Sequence, residues 1–170
     1  MKEILGPLLN LPSLEVTKVS LPPNEVHIHC LSTQSVGICP HCLGSTQEVT
    51  KYYTRKLRDL PIFDRKTYLH IKVRQFHCRG CPRSFSERLP FADSNRTYTK
   101  RMEKFIFKCS ENIPLKEVAA IVDVSPHKVE DIFARYSQQV LDTKRTFDGV
   151  RYLGIDEIAI KKGKKTTPVS

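Results

Sequence analysis

Apolar and polar residues alternate at period two through the first half of the chain and at helical period after Pro90. Leu14 to Ser20 and Glu25 to Leu31 alternate, separated by the turn signal Pro22-Pro23-Asn24. Glu48 to Lys56 is rich in Val, Thr and Tyr, and Thr67 to Phe76 alternates again. These runs predict a small antiparallel sheet. Beyond Pro90, Tyr98, Met102, Phe105, Ile106 and Cys109 form one stripe, with Thr97 as its N-cap. Leu115, Val118, Ala119 and Val122 form a second stripe beside Pro114. Val129, Ile132, Phe133, Tyr136 and Val140 form a third, opening at Ser125-Pro126, a serine N-cap with proline at the first helical position. Arg151 to Ile160 reads as a last apolar strand. The expected class is α+β, with a β-rich module over 1–92, three helices over 93–143 and a single strand within 144–170.

Only Asp123-Val124-Ser125 separates the second and third helices, and so short a connection makes them cross steeply with Val124 plugging the angle. That is helix-turn-helix geometry, in which the later helix enters the major groove of DNA with its first residues at base edges. On its polar face stand Ser125, His127, Lys128, Asp131 and Arg135, the residues expected to meet bases. Lys100, Arg101, Lys104 and Lys108 on the first helix are expected to hold phosphates. A plain three-helix bundle with a solvated face is the competing reading.

Four of the six cysteines form two matched pairs, Cys39-Pro-His-Cys42 and Cys78-Arg-Gly-Cys81. Two residues between thiols let both sulfurs reach one tetrahedral ion, and two such knuckles close a structural zinc site. The knuckles are about 35 residues apart, more than the commonest finger spacing, and strands fill the gap. Disulfides suit a secreted chain, and Met1 to Leu14 makes a poor export signal. A redox pair comes singly at the start of a helix, unlike these two. His41 and His77 flank the knuckles but four thiolates complete the tetrahedron, so both are expected to be bystanders. Cys30 and Cys109 are expected to be buried hydrophobes without function.

The charge sharpens this picture. Lys and Arg number 28 against 18 Asp and Glu, a formal net charge of +10. Such an excess favours polyanionic partners, because neutralised phosphates release counterions. The basic residues run from Lys51 through Lys108 and recur at Lys161 to Lys165, interleaved with Tyr52, Tyr53, Phe76 and Phe85. No stretch approaches the roughly 18 apolar residues of a membrane span, so a soluble cytoplasmic chain without a membrane partner is expected.

Several motifs together resemble one family. Arg58-Asp59-Leu60-Pro61, then Arg74-Gln75-Phe76-His77-Cys78-Arg79-Gly80-Cys81, then Phe85-Ser86-Glu87-Arg88-Leu89-Pro90 look like the zinc-finger region of ISL-type insertion-sequence transposases. The helices that follow are similar in position, and Tyr152-Leu153-Gly154-Ile155-Asp156-Glu157 resembles the opening of that family's catalytic domain. The resemblance implies an RNase H-like fold for that domain, with an Asp-Asp-Glu triad holding Mg2+ in the full-length form. Asp156 matches the first acid of the triad. The chemistry needs three carboxylates around two divalent ions. Glu157 cannot serve beside Asp156, since neighbouring strand residues face opposite ways. The sequence ends at Ser170 before the other acids, so this chain is expected to be catalytically incomplete and not to cut DNA. The function so implied is sequence-specific binding of double-stranded DNA at the terminal inverted repeats of an insertion sequence, at a bacterial nucleoid, with a homodimer left open. A stand-alone regulator or transposition inhibitor, and a zinc-dependent protein-interaction module, are the alternatives.

Overall fold

A computed structural model describes residues 2–143, so Arg151 to Ile160, Asp156 and the Lys161 to Lys165 run lie outside the described residues. The described part is α+β, and no helix in it is long and apolar enough to cross a membrane. A short helix α1 (Lys2–Leu9), which the sequence reading did not expect, precedes β1 (Leu14–Ser20) and β2 (Glu25–Ser32). These two strands pair antiparallel as expected, and Asn24, at φ 59°, lies in the turn before β2. Two short strands, β3 (Gly37–Ile38) and β4 (Ser45–Thr46), lead to the hairpin of β5 (Val49–Ile62) and β6 (Arg65–Cys78), and β7 (Arg83–Ser86) follows.

The sheet corrects the expectation of a purely antiparallel arrangement, because β2 lies parallel to β6 between Glu25↔Lys66 and Leu31↔Lys72. A parallel neighbour needs a long crossover, and the chain from Thr33 through β5 supplies it. Alternation within one strand says which face is buried, not which neighbour it takes. β7 then pairs with the far end of β6, from Gln75↔Ser86 to Cys78↔Arg83. The central hairpin is also longer than the expected runs, because Arg58-Asp59-Leu60-Pro61 belongs to β5. Pro61 is tolerated beside the register shift between Asp59 and Ile62, where the ladder is already broken.

One face of the sheet carries Val26, Ile28, Leu57, Leu69, Ile71 and Val73, closed over by Leu9, Leu89, Phe91 and Ala92. Each such side chain contributes about 1.5–3 kcal/mol when fully buried. Cys30 belongs to this core, and burial pushes its thiol up to about 11.

Helices α2 (Lys100–Ser110), α3 (Leu115–Val122) and α4 (Pro126–Thr143) close on Met102, Ile106, Val118, Val122, Val129 and Ile132. Val124 is buried with them. Asp123 takes the left-handed conformation, φ 49°, that turns the chain after α3. The N-cap of α2 is Thr99 rather than Thr97, its hydroxyl accepting from the Met102 N–H. The helix starts later than the periodicity suggests because the preceding residues are taken up by the sheet edge. Thr97 accepts from the Arg58 N–H at 2.8 Å, and Tyr98 forms a parallel bridge with Arg58.

Candidate metal centre and nucleic-acid interface

The first knuckle grows from the β3–β4 hairpin. The Cys39 N–H donates to Gly44 O at 2.9 Å and the Leu43 N–H to Cys39 O at 3.0 Å, so the loop folds back on its own thiol. The second knuckle is the turn between β6 and β7. Together they bring Cys39, Cys42, Cys78 and Cys81 to one point, with their sulfurs all within 4.8 Å of one another. Cys39 Sγ lies 3.5 Å from Cys81 Sγ, and Cys42 Sγ 3.4 Å from Cys78 Sγ. Thiolates about 2.3 Å from a tetrahedral zinc stand roughly 3.8 Å apart, so the cage needs little adjustment. Beneath it the rings of Phe76 and Phe85 stack at 5.6 Å. Gly37 must lack a side chain, since a Cβ there would lie 2.6 Å from the Phe76 ring.

The electrostatics fit a cation. The Cys42 N–H aimed at Cys39, above all, lowers that thiol to about 6, while hydrogen bonding to Cys39 holds the proton on Cys81 and pushes it up to about 12. Four thiolates so close cannot all ionise unless a positive ion sits among them. His41 lies outside this set and meets Arg83 at 3.4 Å, and Cys109 is half-buried on the helical core.

On the helical side, Ser125, His127 and Lys128 stand exposed at the start of α4, and Lys104 is exposed on α2. Lys100 donates to Pro90 O at 2.9 Å and lies 3.4 Å from Asp93.

Two family descriptions match the chain in order: "zinc-finger of transposase IS204/IS1001/IS1096/IS1165" over residues 35–81, and "Helix-turn-helix domain of transposase family ISL3" over residues 87–137. The first contains all four cysteines and the second holds α2, α3 and most of α4. The chain carries the zinc-finger and helix-turn-helix domains of ISL3-family transposases. It is also 26% identical over 149 residues to the transposase for insertion sequence element IS1001 of Bordetella parapertussis. That match takes in 87% of this chain and 36% of the relative, so the chain spans about a third of the relative's length. No solved structure matches the chain significantly.

Besides Lys100, the expected phosphate contact Arg101 and the expected base contacts Asp131 and Arg135 make pairs within the protein. Arg101 donates to Asp59 Oδ1 at 2.7 Å and to Leu9 O at 2.5 Å. Arg135 pairs with Glu103, and Asp131 with Arg96. Asp59 and Glu103 are each 1% exposed, so their partners hold buried charges rather than reach outward. Burial pushes the Glu103 carboxyl up, against the pull of Arg135 and Arg96. Sequence spacing shows which helix face an arginine occupies; it does not show a carboxylate waiting on another element.

The same geometry exposes a pair that sequence reasoning quoted without a role. Arg58 donates from Nη1 to Asp123 O at 2.8 Å and from Nη2 to Val122 O at 2.7 Å, satisfying carbonyls at the end of α3. Next to it, Asp59 accepts from the Thr99 hydroxyl at 2.6 Å and from Arg101. Lys66, across the hairpin, pairs with the Asp123 carboxylate. Two neighbouring strand residues thus hold the α3–α4 turn and the start of α2 to the sheet. The signal in the sequence was a pair of opposite charges inside an alternating strand.

Proposed function

We propose that this chain is the DNA-recognition part of an ISL3-family transposase, with α4 as the reading helix and the terminal inverted repeats of the element as its target. The observation that carries the proposal is the exposed start of α4, where Ser125, His127 and Lys128 project beside the tight Asp123–Val124 turn. In a helix-turn-helix, side chains at that place meet base edges, while basic groups on neighbouring helices meet phosphates. Zinc holds the ribbon in shape, with Cys39, Cys42, Cys78 and Cys81 as its ligands.

Selection of bound sequences from a random DNA pool should return one motif that matches the ends of the element. Lys128→Ala should then change discrimination at one or two positions of that motif by about 1–3 kcal/mol. Lys104→Ala should weaken all sequences alike and flatten the salt dependence. A pool that yields no motif, or a Lys128→Ala variant that weakens every sequence equally, would show that α4 does not read bases.

For a longer protein carrying the whole catalytic domain, the proposal extends to Asp156 as the first metal-binding acid, with Mg2+ as its ion. There Asp156→Asn should abolish metal-dependent strand cleavage and leave DNA binding intact, because it removes a charge at nearly constant shape. Cleavage that survives the substitution would remove Asp156 from the catalytic set.

A further inference from the structure

The sheet face opposite the core stays open to solvent across its middle. By strand alternation it carries His27 and His29 from β2, Tyr68, His70 and Lys72 from β6, and Lys56 from β5. Its two ends are occupied. Phe76 and Cys78 continue the same alternation along β6, so the metal cage sits at one end. Arg58, directly opposite Tyr68, and Lys66 hold the Val122–Asp123 turn at the other end. From Lys66 to Phe76 a strand rising about 3.3 Å per residue covers roughly 33 Å, close to one turn of B-form DNA at about 34 Å.

The open stretch concentrates donors and cations at close range. His70 faces His29 across one strand boundary and Lys56 across the other. The His29 and His70 rings stack at 4.7 Å, and those of His27 and His70 at 5.0 Å. Lys56 Nζ lies 4.0 Å over the Tyr68 ring and Lys72 Nζ 4.7 Å over the Tyr52 ring, so both ammonium groups rest on aromatic surface. Neither is in an ion pair among the described residues. The acids on this face include Glu25, held by His27 at 2.6 Å, Glu15, and Glu87, which is taken up by Arg74 at 2.8 Å. His27 and His70 hydrogen-bond to each other at 2.7 Å, and burial together with His29, His27 and Lys56 lowers the His70 pKa, so the cations this face offers an anion are Lys56 and Lys72.

We infer that this face is a third contact with DNA: the sugar–phosphate backbone of the duplex read by α4 runs along it towards the metal cage, its phosphates meeting Lys56 and Lys72. The inference rests on the DNA-binding reading proposed above, and it adds a surface that neither the ribbon cysteines nor the helices include. The contact is to phosphate, so it lengthens the bound site and raises affinity without choosing a sequence.

The test uses the full 170-residue chain, a duplex of about 40 base pairs with the selected motif near its centre, and a duplex of about 12 base pairs holding the motif alone. Lys56→Ala/Lys72→Ala should bind the long duplex roughly tenfold more weakly, with the slope of log affinity against log salt reduced by about 1.8, or 0.9 for each lost phosphate contact. The same variant should bind the short duplex like the parent, keep its zinc and keep its melting temperature. Lys56→Arg/Lys72→Arg should restore affinity for the long duplex. Hydroxyl-radical footprinting of the parent should show a second protected segment about one helical turn from the first, absent in the alanine variant. If the alanine variant keeps parental affinity and slope while Lys128→Ala weakens binding, the sheet face does not touch DNA and α4 still does. If the parent binds neither duplex, the DNA-binding reading falls and the inference with it.

Discussion

Purified under metal-retaining conditions, the chain is expected to carry about one zinc, and chelating it should unfold the ribbon while sparing the main sheet. The reason is the size of the local core. Apart from the thiols, the ribbon buries Phe76 and Phe85, with Val49 packed against them. A core that small does not hold a fold without a staple. β6 is shared, however, and its first half, around Leu69, Ile71 and Val73, lies in the separate core under Leu89 and Phe91. Hydrogen exchange in the presence of a chelator should therefore accelerate at Cys39, Phe76 and Phe85 and stay slow at Leu69 and Ile71. Cys39→Ser or Cys81→Ser should reproduce this pattern with metal present, whereas Cys109→Ser should leave exchange unchanged across the ribbon. Metal analysis that finds no zinc, or exchange at Phe76 that ignores the chelator, would remove the metal from the fold.

The metal centre was legible in the sequence because its geometry is local. Two residues between thiols fix each knuckle, and joining the knuckles needs only that strands run between them. The turn between α3 and α4 was legible for the same reason, since Ser125-Pro126 and the buried Val124 act within a few residues of one another. What the sequence hid is long-range. The parallel pairing of β2 with β6 depends on which edge is free when the hairpin forms, and alternation carries no such information. Arg101 and Arg135 looked like phosphate and base contacts because spacing along the chain does not show that Asp59 and Glu103 are buried beside them. Charges that are surplus in the sequence become interior pairs in the fold. Among the described residues, Lys104, Lys108, Lys116, His127 and Lys128 on the helices and Lys56 and Lys72 on the sheet stay exposed.

The largest single-residue effect away from the metal should come from Asp59→Ala. The carboxylate is 1% exposed and accepts from the Thr99 hydroxyl that caps α2 and from the Arg101 guanidinium. Deleting it takes that acceptor from the half-buried Arg101 guanidinium and from the buried Thr99 hydroxyl. Breaking a buried pair from one side costs about 3–5 kcal/mol, and at roughly 2–4 °C per kcal/mol for a chain of this size the melting temperature should fall by about 10 °C. The loss should be partly relieved in Asp59→Ala/Arg101→Ala, because the stranded guanidinium is then gone as well. That non-additivity, of about 0.5–3 kcal/mol, separates a specific pair from general damage to β5. Arg58→Ala acts at the same joint but on carbonyls nearer the surface, so it should cost less stability. If the Asp59 and Arg101 substitutions simply add in the double variant, the two residues are not partners, and the attachment of α2 to the sheet rests on the Thr97–Arg58–Thr99 backbone bonds alone.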